Sequence, residues 1–160
     1  MPSPASIRKH PLHPMFVGFP LGLWVFALVC DVVRAWSGNP VWGTVALYAV
    51  AGGIVGALLA AVPGLIDYLS IDEAEMKRIA TRHMFLNLGA VIIFALNLWL
   101  RFHLAEDSKL PLLLSLCGAA IVASGGWLGG EMVYVKGMAV EAMEEASQKK
   151  ADKRRLRRAG

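Results

Sequence analysis

Five side chains that could bind a metal or exchange protons stand at the ends of long apolar stretches in this sequence. They are His10, His13, Asp67, His83 and Glu131. A charged group at the centre of a membrane helix costs roughly 2.5–3.5 kcal/mol on insertion scales, so ionisable residues in or beside apolar segments indicate function. Because alternating helices bring such ends together, these five residues are predicted to share one membrane boundary.

Imidazole and carboxylate groups together favour a metal site. Two or three imidazoles with two carboxylates are suitable ligands for a transition-metal ion. A second interpretation makes His13 and His83 the axial ligands of a haem b held between helices, with nearby glycines leaving room for the macrocycle. In either case Asp67 and Glu131 could accept hydrogen bonds from the imidazole N–H groups.

Two other interpretations of these residues stay open. The first is structural, in which the polar groups only bond helix ends to one another. The second is a proton or solute pathway through Asp67 and Glu131. The chain carries no P-loop, zincin, covalent-haem or nucleophile-elbow motif, so no catalytic residue is predicted. The middle of the apolar stretches offers a pathway only four scattered polar residues: Thr44, Tyr48, Ser115 and Ser124.

Four apolar segments are long enough to position these residues in a membrane. A spanning helix needs roughly 20 mostly apolar residues, and an isolated strand could not satisfy its backbone in lipid. The sequence therefore predicts an all-α, integral membrane four-helix bundle. The transmembrane domain covers 15–135, after a short segment 1–14 and before a basic tail 136–160. The predicted spans are about 15–36, 42–66, 83–102 and 110–135.

The basic residues predict the orientation of the bundle. Thirteen of the 16 Lys and Arg residues fall on the side that holds both termini, and only Arg34, Arg101 and Lys109 fall on the other. Since cytoplasmic loops carry the excess of Lys and Arg, both termini are predicted to be cytoplasmic. The thirteen are Arg8, Lys9, Lys77, Arg78, Arg82, Lys136, Lys149, Lys150, Lys153, Arg154, Arg155, Arg157 and Arg158.

The composition excludes some classes of protein. The chain is 56% hydrophobic and only 18% charged, against about 25% charged in soluble domains. Its net charge of +4 comes mostly from the tail, which favours contact with anionic lipids over nucleic-acid binding. Cys30 and Cys117 lie inside apolar runs and are predicted to be free. Near the other membrane boundary, Asp31 is predicted to pair with Arg34 or Arg101.

Glycines recur at helical spacing in the predicted spans. The second span carries Gly52, Gly56 and Gly64, and the fourth carries paired glycines at 125–126 and 129–130. Small residues let helix backbones approach closely in lipid, so these stripes predict a tightly packed bundle. No inverted internal repeat of the kind found in secondary transporters is evident.

Several short motifs resemble one family in combination. These are 10–14 (His-Pro-Leu-His-Pro) with 18–22 (Gly-Phe-Pro-Leu-Gly), 64–68 (Gly-Leu-Ile-Asp-Tyr) with His83 and Asn87, and 125–134 with Gly137. Over roughly residues 8 to 140 the chain resembles the bacterial membrane-protein family catalogued as domain of unknown function 2231.

The resemblance implies four helices and a bacterial inner-membrane location. Some members of that family are fused to a Rieske-type iron–sulfur domain, which implies a role near electron transfer. This chain lacks the Rieske Cys-x-His motifs, so the redox partner implied by the resemblance would be a separate protein. The function expected from residues and resemblance together is a membrane protein that binds haem b or a metal ion and transfers electrons.

Overall fold

The four predicted spans are four helices in the computed structural model of the chain, which describes residues 3–8, 10–105 and 108–138. All four are long and apolar enough to cross a membrane, which confirms the predicted all-α membrane bundle. Most of the predicted basic tail lies outside the described residues. The helices are α1 (Leu12–Ser37), α2 (Val41–Leu69), α3 (Ala74–His103) and α4 (Leu110–Gly130), preceded by a small hairpin of β1 (Ser6–Ile7) and β2 (His10–Pro11).

The connection between α2 and α3 is shorter than the sequence suggested. The predicted spans leave residues 67–82 between them, but α2 continues to Leu69 and α3 already begins at Ala74. The side chain of Ser70 donates to the carbonyl of Asp67 at 2.7 Å, and Tyr68 bonds to Thr81 at 3.0 Å. These bonds favour a tight turn, so Glu75, Lys77, Arg78 and Arg82 lie on the first turns of α3.

The turn between α1 and α2 follows directly from its residues. Gly38 has φ 69°, the left-handed conformation that favours glycine, and its N–H donates to the carbonyl of Arg34 at 2.9 Å. The side chain of Asn39 then accepts from the N–H of Val41 at 3.0 Å, at the start of α2. The chain thus turns between the first two spans, which were predicted to end at about 36 and to begin at about 42.

The end of α4 changes its helical register. Residues Glu131–Val135 form a π-helical turn, and Gly137, two residues beyond it, has φ 72°. Beyond it, the N–H of Met138 donates to the carbonyl of Met132 at 2.9 Å. A π-turn adds one residue to a helical turn and so redirects the side chains that follow it.

The helices pack as two hairpins, α1 with α2 and α3 with α4, which then face each other. At the centre of the molecule, the rings of Trp24 and Phe94 stack with centroids 4.3 Å apart and planes 12° apart. Small residues surround the two rings, among them Ala27, Ala49 and Ala90. The outer surfaces of the helices are apolar and exposed, as lipid contact requires.

The two hairpins repeat one packing pattern. Trp24 of α1 packs against Gly53 of α2, and Phe94 of α3 packs against Gly118 of α4, so closely that a Cβ at either glycine would collide with the ring. The aromatic residues are 70 positions apart and the glycines 65. Since α1 and α3 run in the same direction, this is a parallel repeat, compatible with the expected lack of an inverted one.

Candidate functional site

His13 and His83 follow the same repeat and meet at one end of the bundle. They too are 70 positions apart, and each lies in the first three turns of its helix, α1 or α3. Their ring centroids are 6.1 Å apart with planes at 85°. Equivalent residues meet in this way when two similar units face each other across a two-fold axis. Of the five predicted residues, this is the pair of rings that the fold brings together.

Each imidazole is held by a backbone carbonyl of the neighbouring helix in its own hairpin. Nδ1 of His13 lies 2.8 Å from the carbonyl oxygen of Ala60, and Nδ1 of His83 lies 2.8 Å from that of Gly125. A carbonyl oxygen only accepts, so Nδ1 donates in both rings and the lone pair of each neutral imidazole is on Nε2. This is the arrangement found in metal-binding histidines, whose second N–H is fixed by a backbone or carboxylate oxygen.

Asn87 completes the surroundings of His83. Its amide nitrogen donates to the carbonyl of His83 at 2.8 Å and lies 3.1 Å from Nε2 of the same residue. A metal on Nε2 of His83 would therefore take the place of one hydrogen bond. Within the described parts of the chain, no residue hydrogen-bonds to Nε2 of His13.

Glycines make room for the imidazoles themselves. A Cβ at Gly64 would lie 2.6 Å from Nδ1 of His13, and one at Gly129 would lie 3.2 Å from Cε1 of His83. These glycines are again 65 positions apart. The room that we expected them to leave for a macrocycle is thus occupied by the histidine rings.

Asp67 and His10 have contacts of their own. Asp67 is buried, and its Oδ1 accepts from the hydroxyl of Ser3 at 2.7 Å and from the N–H of Ala5 at 3.1 Å. It thereby fastens the N-terminal segment to the end of α2. His10 is exposed in the small hairpin, where its Nδ1 lies 2.9 Å from the carbonyl oxygen of Arg8.

Glu131 is the first residue of the π-helical turn and is half-buried. Just beyond that turn, Lys136 pairs with Glu75 of α3 at 2.5 Å. This bond raises the pKa of Lys136, and the charge of Glu131 adds to the effect. Across 3–8, 10–105 and 108–138, no group of three or more His, Cys, Asp and Glu side chains lies close enough to hold a metal ion. A metal at this end would have two protein ligands, His13 and His83.

The opposite end of the bundle is closed by an ion pair. Nη2 of Arg101 lies 2.6 Å from Oδ2 of Asp31, and both side chains are about 95% buried, with exposures of 5% and 4%. The residues are once more 70 positions apart. The prediction that Asp31 pairs with a nearby arginine is confirmed for Arg101. Cys30, beside it, is buried and free, and Cys117 is exposed and free, as predicted.

Two residues of this ion-pair network were not predicted. Ser115 of α4 donates to Oδ2 of Asp31 at 2.6 Å, and Asn97 of α3 donates to the Ser115 hydroxyl at 2.9 Å while accepting from Nε of Arg101 at 2.8 Å. Ser115 and Asn97 are fully buried. The available signal was the spacing of Asn97 and Arg101, which places them on one face of α3.

The fold and these two polar clusters define a class of protein. In the described part of the chain, four helices are long and apolar enough to span a membrane, and the buried polar side chains lie near the ends of the bundle, as in an integral membrane protein. The chain belongs to the family described as predicted membrane protein DUF2231, which matches residues 9–142. That match confirms the resemblance seen in the motifs. No curated protein and no solved structure matches the chain.

Proposed function

We propose that this membrane protein holds a transition-metal centre between His13 and His83 and transfers electrons at that membrane face. The proposal rests on two equivalent imidazoles that face each other, with ring centroids 6.1 Å apart. Nδ1 of each ring is hydrogen-bonded to a backbone carbonyl oxygen. Nε2 of each ring would hold the metal, since imidazole nitrogen is a suitable ligand for transition-metal ions.

The donor set fits a first-row transition metal. Neutral imidazole suits zinc, copper, iron and nickel, of which copper and iron also exchange electrons. Because the glycine gaps are filled by the rings, a metal ion is favoured over haem b. The remaining coordination positions would be taken by water or a small molecule. The other three predicted residues are proposed to stabilise the surroundings of the site. His10 does so in the small hairpin, Asp67 through its bond to the N-terminal segment, and Glu131 at the start of the π-turn.

The electron-transfer role rests on the family resemblance. Relatives fused to a Rieske-type domain place this kind of bundle beside an iron–sulfur protein, and a separate redox partner would serve this chain. We propose that both termini, and with them the histidine pair, face the cytoplasmic side of the bacterial inner membrane, because the sequence assigns thirteen of the 16 basic residues to the side of the termini. Membrane lipids are the other proposed partners.

The metal content of the purified protein tests this proposal. We expect the protein extracted in mild detergent to carry about one metal ion per chain, and both His13→Ala and His83→Ala to lose it. His103→Ala is the matched control, since His103 is an exposed histidine at the opposite end of α3. A Soret band lost in the same two variants would identify the metal as haem iron. Neither metal nor Soret band, after reconstitution with iron, copper, zinc and hemin, would overturn the proposal.

A structural role is the second candidate, and Asn87 favours it. The bond from Asn87 to Nε2 of His83 already satisfies that ring, so the histidines could serve only to join helix ends. Under this interpretation Asn87→Ala and His83→Ala lower the thermal stability, and neither changes any spectrum or metal content. Under the metal proposal Asn87→Ala keeps the metal, because it removes only a competing hydrogen bond.

A further inference from the structure

Three methionines gather at the end of the bundle that holds the histidine pair. Met76 lies on the first turn of α3 and Met132 in the π-helical turn, and both are buried, with exposures of 4% and 7%. Met138, just beyond that turn, is half-buried and packs against them. We call these three residues the methionine cluster. Ile71 and Ala80 are the other buried residues packed around it.

The end of α4 brings two of the three thioethers together. Gly137, in the left-handed conformation with φ 72°, turns the chain back after the π-helical turn. The N–H of Met138 then donates to the carbonyl of Met132 at 2.9 Å. Lys136, between them, pairs with Glu75 at 2.5 Å, and Glu75 is the neighbour of the third methionine on α3. The returning segment is thus held against the first turn of α3.

Methionine is concentrated in this cluster. The structure describes five of the seven methionines, and only Met15 and Met84 of these five lie outside it, while Met1 and Met143 are not among the described residues. The hydrophobic cluster at the centre of the bundle contains no methionine among its described members. Methionine often fills irregular gaps in a core. Gap filling alone does not explain why the described methionines avoid one cluster and gather in the other.

The thioether group selects the kind of ion that such a cluster can hold. Soft sulfur ligands favour Cu(I), whereas carboxylate, carbonyl and water ligands suit magnesium, calcium and manganese. Thiol and imidazolium groups must lose a proton before they bind a metal, and a thioether has no such proton. Three neutral thioethers from two neighbouring elements are therefore a donor set for monovalent copper.

The methionine cluster is adjacent to the histidine pair but separate from it. Met76, Ala80 and His83 follow one another at intervals of four and three residues and so share one face of α3. Seven residues of helix between Met76 and His83 correspond to roughly 10 Å along the axis. On the facing helix, Gly129 packs against His83 three residues before Met132. The sulfur and nitrogen donors therefore lie at successive depths of the same end.

We propose that the methionine cluster binds a Cu(I) ion through the thioether sulfurs of Met76, Met132 and Met138. The proposal goes beyond the metal centre between His13 and His83 and does not depend on it, because its ligands are different residues with a different metal preference.

Titration of the full-length protein in mild detergent with Cu(I), kept reduced by ascorbate, tests this proposal. We expect a bound ion whose X-ray absorption shows sulfur ligands. Met76→Leu and Met132→Leu are each expected to weaken its binding about tenfold or more against a competing chelator, since even the loss of a group that only supports a ligand costs about 10–100-fold in metal affinity. Leucine nearly matches methionine in volume, so the packing is retained. Met15→Leu is the matched control, because Met15 is 60% exposed on α1, and it is expected to leave binding unchanged.

His13→Ala separates the two metal sites. Sulfur-bound Cu(I) that persists in His13→Ala but weakens in the two methionine variants supports the proposal. Absence of Cu(I) binding, or binding that neither methionine variant weakens, overturns it. Binding that His13→Ala and the methionine variants weaken equally also overturns it, because the copper would then occupy one shared site. Thermal unfolding of the copper-free protein checks the fold of each variant, and Met138→Leu replaces a methionine variant that fails to fold.

Discussion

At the scale of single residues, the described part of this molecule concentrates its strongest polar interactions at two depths. At one end, two imidazoles each bind a backbone carbonyl of the adjacent helix. At the other, Asp31 and Arg101 are paired inside a network with Ser115. The two sites differ in charge, and therefore in how much a single substitution lowers the free energy of unfolding. Removing an imidazole leaves no charge behind, whereas removing Asp31 leaves an unpaired buried guanidinium.

Asp31→Asn is expected to lower the stability strongly. The substitution preserves the shape of the side chain but removes the charge that balances Arg101, and breaking a buried ion pair from one side typically costs about 3–5 kcal/mol. Denaturant titration of the protein in mixed micelles would measure the loss. Glu75→Gln is the control, since it breaks an ion pair whose members are 62% and 32% exposed, and we expect almost no change.

The double variant Asp31→Asn with Arg101→Gln separates this explanation from general damage to the helix. Without the guanidinium, the neutral asparagine leaves no buried charge, so the double variant is expected to be more stable than Asp31→Asn alone. A double variant as unstable as the sum of both single variants would show that the ion pair is not the cause.

The sequence could predict the depth of the candidate site residues but not their partners. His13 and His83 were expected at one boundary and do meet there, whereas Asp67, expected beside them, holds the N-terminal segment through Ser3. Depth follows from the position of a residue in its apolar run. Which way a side chain points depends on how each helix is rotated about its axis, and packing contacts such as that of Gly64 with His13 decide this.

At the scale of elements, glycine determines how the helices of each hairpin approach one another. The stripes on α2 and α4 were predicted to allow close packing, and the structure shows which side chain fills each gap. In both hairpins, rings of the neighbouring helix pack against the glycines of α2 or α4. The rings are aromatic residues at the centre of the bundle and histidines at one end. A glycine whose Cβ position is open, such as Gly126, has no such role.

Gly118→Ala is therefore expected to destabilise the protein, and Gly126→Ala is not. A Cβ at Gly118 would lie 2.6 Å from Cε2 of Phe94, whose ring is held by stacking on Trp24 and cannot turn aside. Overpacking of this kind costs about 1–3 kcal/mol. Thermal unfolding in detergent should show a lower Tm for Gly118→Ala only. Equal Tm values for the two variants of α4 would contradict the assigned role of Gly118.

At the scale of the whole molecule, two equivalent hairpins form one bundle. Residue pairs 70 positions apart meet at three depths: His13 with His83, Trp24 with Phe94, and Asp31 with Arg101. Apolar residues surround the middle pair, so a hydrophobic core separates the two polar sites. This arrangement does not provide the continuous polar line that a proton or solute pathway through Asp67 and Glu131 would need.

The spans and their order could be predicted from composition, because only long apolar helices satisfy their backbone in lipid. The internal repeat could not. The matching residues are few, and the pairs differ in type, as with Trp24 and Phe94 or Asp31 and Arg101. Helix ends were predictable where a turn has a strong local signal, as at Gly38. They were wrong at Ala74, where charged residues extend a helix beyond its apolar part.

The orientation of the bundle gives the last prediction. Since the sequence assigns thirteen basic residues to the side of both termini and three to the other side, the Asp31–Arg101 end of the bundle is expected to face away from the cytoplasm. A membrane-impermeant maleimide should then label Ser37→Cys in intact cells, and Asp72→Cys only after permeabilisation, because these exposed residues lie in or beside turns at opposite ends. Cys30 and Cys117 are replaced by alanine as background. Labelling of Asp72→Cys but not Ser37→Cys in intact cells would reverse the orientation and place the histidine pair on the outer face.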